Sequence, residues 1–123
     1  MILVTGSAGR VGRAVVAAVR AEGRAVRGFD LRPSGTGGEE VVGSLEDTEA
    51  LAGAIEGVTG VLHLGAFMSW APGDRDRMFA VNVEGTRRLL DAAAAAGVRR
   101  FVFASSGEVY PENRPEFLPV TEE

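Results

Sequence analysis

The sequence contains no cysteine, which rules out both a disulfide framework and a thiolate metal site. His63 is the single histidine, so no zinc constellation can be assembled either, and no metal is expected. Lysine is also missing: all 13 basic residues are arginine. They are scattered among 17 acids for a formal net charge of −4, so no basic stripe offers a footprint for nucleic acid. Apolar residues make up 46% of the 123 positions without an unbroken run that could span a bilayer, and Met1 leads straight into an apolar strand rather than a charged leader. No membrane partner is therefore expected, and the expected compartment is the cytoplasm. Length and composition suit one α/β domain.

What is present begins in the first dozen residues. Ile2-Leu3-Val4 reads as a strand that runs into Thr5-Gly6-Ser7-Ala8-Gly9-Arg10-Val11-Gly12 and then an alanine-rich helix, which is the order of a dinucleotide-binding turn. Gly6 suits the tight turn, Gly9 keeps a Cβ away from a pyrophosphate, and Gly12 lets helix and strand pack closely. The backbone from Gly6 through Gly12, including Ala8, Arg10 and Val11, would present its N–H groups to an anion. Eighteen residues after Gly12, the strand Ala25 to Phe29 ends at Asp30, where a ribose-binding acid belongs. Its charge repels a 2′-phosphate and favours NAD over NADP. Arg10 and Arg32 pull the other way, since a guanidinium can neutralise that phosphate. Leu31 and Arg32 would flank the adenosine.

Farther along, strand and helix periods alternate. A helix over Arg13–Ala21 is followed by the second strand, a glycine-rich turn from Pro33 to Gly38, and a short strand at Val41-Val42. Thr48–Ile55 reads as a helix stopped by Gly57. Gly60–Ala66 is continuously apolar, as a strand buried on both faces should be. The longest helix is expected over Arg75–Ala96, ending at Gly97 and feeding a fifth strand, Arg100–Ala104. The plan is a Rossmann-like, doubly wound parallel sheet in the order 3-2-1-4-5, with its switch point above strands 1 and 4. Residues 1–110 would form this domain, and 111–123, with recurring proline and mixed charge, a loop.

Four motifs, in this order, carry a family resemblance: Thr5-Gly6-x-x-Gly9-x-x-Gly12, Val61-Leu62-His63-Leu64-Gly65-Ala66, Asn82-Val83-Glu84-Gly85-Thr86-x-x-Leu89-Leu90, and Phe103-Ala104-Ser105-Ser106-Gly107-Glu108-Val109-Tyr110. Together they resemble the extended short-chain dehydrogenase/reductases, which include nucleotide-sugar epimerases, dehydratases and uronate dehydrogenases. The resemblance implies that Leu64-Gly65-Ala66 lies against the nicotinamide ribose and that Asn82 braces this region from the long helix. It implies Ser106 as the catalytic serine that hydrogen-bonds the reacting oxygen, with Ala104 and Ser105 lining the nicotinamide pocket. It further implies a sugar or nucleotide-sugar substrate, and a homodimer built partly on the long helix.

Two departures qualify it. Many relatives carry an aspartate for the adenine amino group where this chain has Gly43-Ser44-Leu45, so Ser44 and Leu45 take that place. The general base of the family is a tyrosine in Tyr-x-x-x-Lys, and this chain has one tyrosine and no lysine. Tyr110 occupies the Val-Tyr position after the serine and is followed by Pro111, so it is not that base. His63 is read as a structural group. The expectation is a cofactor-binding N-terminal part that lacks the later strands, the substrate domain and the base, and is inactive alone. A self-contained dinucleotide-sensing module, and a methyltransferase-like domain in which Asp30 holds the ribose of S-adenosylmethionine, remain as alternatives.

Overall fold

The computed structural model describes residues 1–109. Five strands, β1 (Ile2–Thr5), β2 (Val26–Asp30), β3 (Glu39–Val42), β4 (Gly60–His63) and β5 (Arg100–Phe103), form one parallel sheet in the order β3-β2-β1-β4-β5. This is the Rossmann-like order expected from the alternation of periods. Tyr110 and the 111–123 segment lie outside the described residues.

The pleat sends alternate side chains to two layers. Ile2, Val4 and Val26 meet α1 (Arg10–Ala21) through its buried Val16 and half-buried Val15 and Val19. With Gly12, these positions make one apolar helical stripe. On the other face Leu3, Phe29 and Val61 pack with Leu51, Ala54 and Ile55 of α2 (Thr48–Ile55), and with Leu89 and Ala93 from α4 (Thr86–Ala95). The Asp47 carboxylate starts α2 by accepting the N–H groups of Glu49 and Ala50, each at 3.0 Å.

Several boundaries differ from those expected. Helix α1 starts at Arg10 rather than Arg13, and β3 starts at Glu39 rather than Val41. The fourth strand ends at His63, not Ala66, because the N–H groups of Leu64 and Gly65 turn to the Thr5 hydroxyl. The long helix follows a 3₁₀ turn at Pro72–Asp74 and runs as α3 (Arg75–Phe79), a wider π-helical segment over Ala80–Gly85, and α4. Apolar spacing does not reveal one extra residue in a turn, and such widened turns recur at functional sites.

Arg27 joins three elements. Its Nε donates to Glu39 on β3 at 2.6 Å, and its Nη1 reaches the carbonyls of Gly53, Ala54 and Glu56 at 3.3, 2.8 and 2.6 Å, at the C-terminal end of α2. Cations suit that end of a helix. Because the Arg27 side chain is only 11% exposed, water replaces these bonds poorly. Arg27→Met keeps the apolar stem but removes every donor. It is expected to cost about 1–3 kcal/mol, seen as a lower urea midpoint with unchanged denaturant slope; an unshifted midpoint would contradict this account.

Candidate functional site

The turn after β1 is held from below by β2. Gly6 and Ser7 donate their N–H groups to the Phe29 carbonyl at 2.9 and 3.4 Å, and the Ala8 N–H donates to the Asp30 carboxylate at 3.0 Å. Gly6 has a φ of +69°, and a Cβ there would sit 2.9 Å from the Gly65 backbone. At Gly12 a Cβ would lie 2.0 Å from the Gly6 carbonyl oxygen, so helix and turn touch backbone to backbone. Gly9 caps α1 without a side-chain hydrogen bond. The first-turn N–H groups of Arg10, Val11 and Gly12 have no acceptor within the helix by their position, and they carry its positive end. A carboxylate accepts several hydrogen bonds, so the Ala8 contact orients Asp30 and leaves capacity for ribose hydroxyls.

A cleft of about 260 Å³ opens over this turn. Gly6, Gly9, Asp30, Leu31, Ser44, Leu45, Leu64, Gly65 and Ala66 all line it. The other candidates are not among its lining residues. Ala8 and Gly12 are buried, while Arg10, Val11 and Arg32 are exposed. Asn82 acts on the wall: its amide accepts the Phe67 N–H at 2.7 Å and donates to the Phe67 carbonyl at 2.8 Å. Ala104, Ser105 and Ser106 are exposed just beyond β5. Register places His63 beside Phe103, so the loops leaving β4 and β5 emerge at the same end of the sheet.

Sequence reading missed Phe67, Arg77 and Val81 in the cleft wall. The Arg77 guanidinium lies over the Phe67 ring, 4.3 Å from its centroid. The pairing joins a loop to a helix ten residues on, and no motif announces it. A larger cleft, about 390 Å³, lies on the α1 face among Ile2, Leu62, Arg99, Arg100 and Val102, and holds none of the candidate residues.

Beneath the wall lies a polar chain. Thr5 Oγ1 accepts the N–H groups of Leu64 and Gly65 at 3.2 and 3.0 Å and is 2.6 Å from His63 Nδ1. His63 Nε2 is 2.8 Å from Thr86 Oγ1, which donates to the Asn82 carbonyl at 2.6 Å. His63 is fully buried, with its ring stacked on Phe103 at 5.4 Å between centroids. Desolvation lowers its pKa from 6.5 to about 4.

That depression has a testable sign. Between pH 6.5 and 4 the unfolded chain takes up a proton that the folded chain refuses. The contribution is whole above pH 6.5 and is lost as pH falls towards 4. His63→Gln is expected to remove this part of the acid destabilisation, worth up to about 3 kcal/mol. Urea unfolding of both proteins at pH 7.5 and pH 4.5 measures it, and equal pH slopes would refute it.

Comparison with known proteins matches residues 2–123 to the NAD dependent epimerase/dehydratase family. The chain is 44% identical over 110 residues to "Sterol demethylase protein B" of Methylococcus capsulatus, covering 85% of this chain and 34% of that protein. It superimposes with a TM-score of 0.95 and 89% identity on a short-chain dehydrogenase/reductase superfamily protein from Agrobacterium tumefaciens with bound NAD, covering 100% of this chain and 38% of that one. MoeE5 in complex with UDP-glucose and NAD matches with a TM-score of 0.81 and 37% identity, covering 89% of this chain and 38% of that one. The chain thus spans little more than a third of the length of these relatives. The glycine turn, the strand order and the four motifs agree with these matches, and the chain belongs to the NAD-dependent epimerase/dehydratase family.

Proposed function

We propose that this chain binds NAD across the turn between β1 and α1 and forms the cofactor-binding part of an enzyme that oxidises a hydroxyl of a sugar or nucleotide sugar. The carrying observation is the backbone contact of Gly12 with Gly6 beside an Asp30 already oriented by Ala8. The residues fit the cofactor: no side chain caps α1, and a Cβ at Gly9 would lie 3.2 Å from the Gly6 carbonyl oxygen. Arg10, Val11 and Gly12 would hold the pyrophosphate through their N–H groups, Asp30 the adenosine ribose, and Ser44 and Leu45 the adenine. NAD, when bound, supplies the hydride acceptor. Leu64, Gly65 and Ala66 would wall the nicotinamide side, and Ala104 and Ser105 would line it from β5. The Ser106 hydroxyl would orient the substrate oxygen. Similarity to MoeE5, whose complex holds UDP-glucose, supports the nucleotide-sugar reading.

A second substrate class has its own support. Met68 and Trp70, on the loop leaving β4, are 74% and 94% exposed, and a sterol demethylase protein is among the relatives. An apolar alcohol would suit that loop. Trp70 is the one tryptophan of the sequence, so its fluorescence separates the two: quenching by UDP-glucuronate supports the first reading, and quenching by a hydroxysteroid alone supports the second.

No lysine is present to lower a phenol pKa, and a general base contributes about 10²–10⁴ in rate. The chain by itself is therefore expected to bind cofactor without turnover. A homodimer is also proposed. Phe79, Val83 and Leu90 leave an exposed apolar stripe along the long helix, at 57%, 48% and 44% exposure. Titration following NADH fluorescence tests the cofactor assignment. NADH should bind more tightly than NADPH, and Asp30→Ala should weaken NADH about 10–100-fold and narrow the gap. Preferred NADPH binding by the unaltered chain would overturn it.

A further inference from the structure

We infer that His63 is a positioning residue, held as the Nε2–H tautomer in a one-way relay that lets the helix carrying Asn82 and Thr86 set the backbone of Leu64 and Gly65 in the cleft wall. The direction follows from counting hydrogens. A threonine hydroxyl has one proton and two lone pairs. Thr86 gives its proton to the Asn82 carbonyl, so towards His63 it can only accept, and Nε2 carries the ring proton. Thr5 uses both lone pairs on the Leu64 and Gly65 N–H groups. Its proton goes to Nδ1, which is therefore bare. Reversing any one bond leaves two protons or two lone pairs facing each other, so the order is set as a unit.

The relay has a mechanical consequence. Asn82 holds the far end of the same loop through both backbone groups of Phe67, and Thr86 holds the near end through His63 and Thr5. One helix thus grips residues 64 to 67 at both ends. Leu64, Gly65 and Phe67 line the cleft, whereas Thr86 and His63 do not. Thr86 can reach the cleft through His63 and Thr5 or through Asn82, and amide exchange at Leu64 and Gly65 reads the first route. This rests on the NAD reading only for its affinity measurement; the tautomer and the backbone can be observed without cofactor.

The experiment uses the full chain with isotope-labelled histidine, whose single imidazole gives an unambiguous spectrum. Two-bond proton–nitrogen correlation should show a protonated Nε2 and a bare Nδ1; an Nδ1–H tautomer overturns the relay. Thr86→Val keeps the branched shape and removes the hydroxyl, while Thr86→Ser keeps the hydroxyl. Amide exchange at Leu64 and Gly65 should quicken about tenfold in the valine variant and stay near the unaltered rate in the serine variant, as expected for one lost hydrogen bond. NADH affinity should weaken by about three- to tenfold in the valine variant alone. Unchanged exchange in the valine variant, or faster exchange with unchanged affinity, overturns the inference. If the valine variant does not fold, the tautomer and the serine variant still decide it. Failure of the unaltered chain to bind NADH refutes the proposed function instead, and the imidazole and amide readouts then judge the relay separately.

Discussion

Three stretches of backbone come into contact at the C-terminal end of the sheet, and the rest of the structure is arranged around that approach. A side chain at Gly6 would meet Gly65, and one at Gly12 would meet Gly6. The turn leaving β1, the first turn of α1 and the loop leaving β4 are thereby packed with no side chain between them. Such spacing brings N–H groups to a surface where an anion can reach them, which an ordinary strand-to-helix turn with side chains would prevent.

Close packing of this kind creates a polar problem. Leu64 and Gly65 leave the sheet beside the glycine turn, where a neighbouring strand no longer receives their N–H groups, and an unsatisfied buried N–H costs about 1–3 kcal/mol. Thr5 solves it, but a hydroxyl that accepts twice must donate once. A neutral histidine is the natural recipient, since it offers one acceptor and one donor on a rigid ring. Burial keeps it neutral by holding its pKa near 4, and the ring rests on Phe103. The sheet end and the long helix are thus joined by hydrogen bonds as well as by apolar contact.

The two faces of the sheet are finished differently among the described residues. One is filled by α2 and α4 against Leu3, Phe29 and Val61. On the other, α1 covers β1 and β2, while Val102 on β5 remains 47% exposed. Relatives extend well beyond the matched region: this chain covers 38% of the Agrobacterium tumefaciens structure. The cleft lined by the glycine turn, Asp30 and the loop leaving β4 lies within the described residues.

Much of this was legible in the residues. The apolar runs and glycine stops determined five strands and their crossovers, and α2 matches its expected Thr48–Ile55 bounds. Handedness rules for parallel connections then left the 3-2-1-4-5 order. The glycine turn was readable because it acts through local backbone geometry, whereas the contact of Asp30 with the Ala8 N–H, 22 residues away, came only with the fold. What escaped the sequence depends on partners far apart in the chain. Phe67, Arg77 and Val81 join the cleft only because the loop and the helix fold over one another. The end of β4 and the widening over Ala80–Gly85 follow from where N–H groups find acceptors, which apolar spacing does not encode. His63, read as a structural group, finds its hydrogen-bond partners in Thr5 and Thr86, 58 and 23 residues away. Local sequence determined which elements form, because propensity and periodicity act over a few residues. Tertiary packing decided which donors meet which acceptors, because hydrogen-bond direction is a property of the assembled ring of groups.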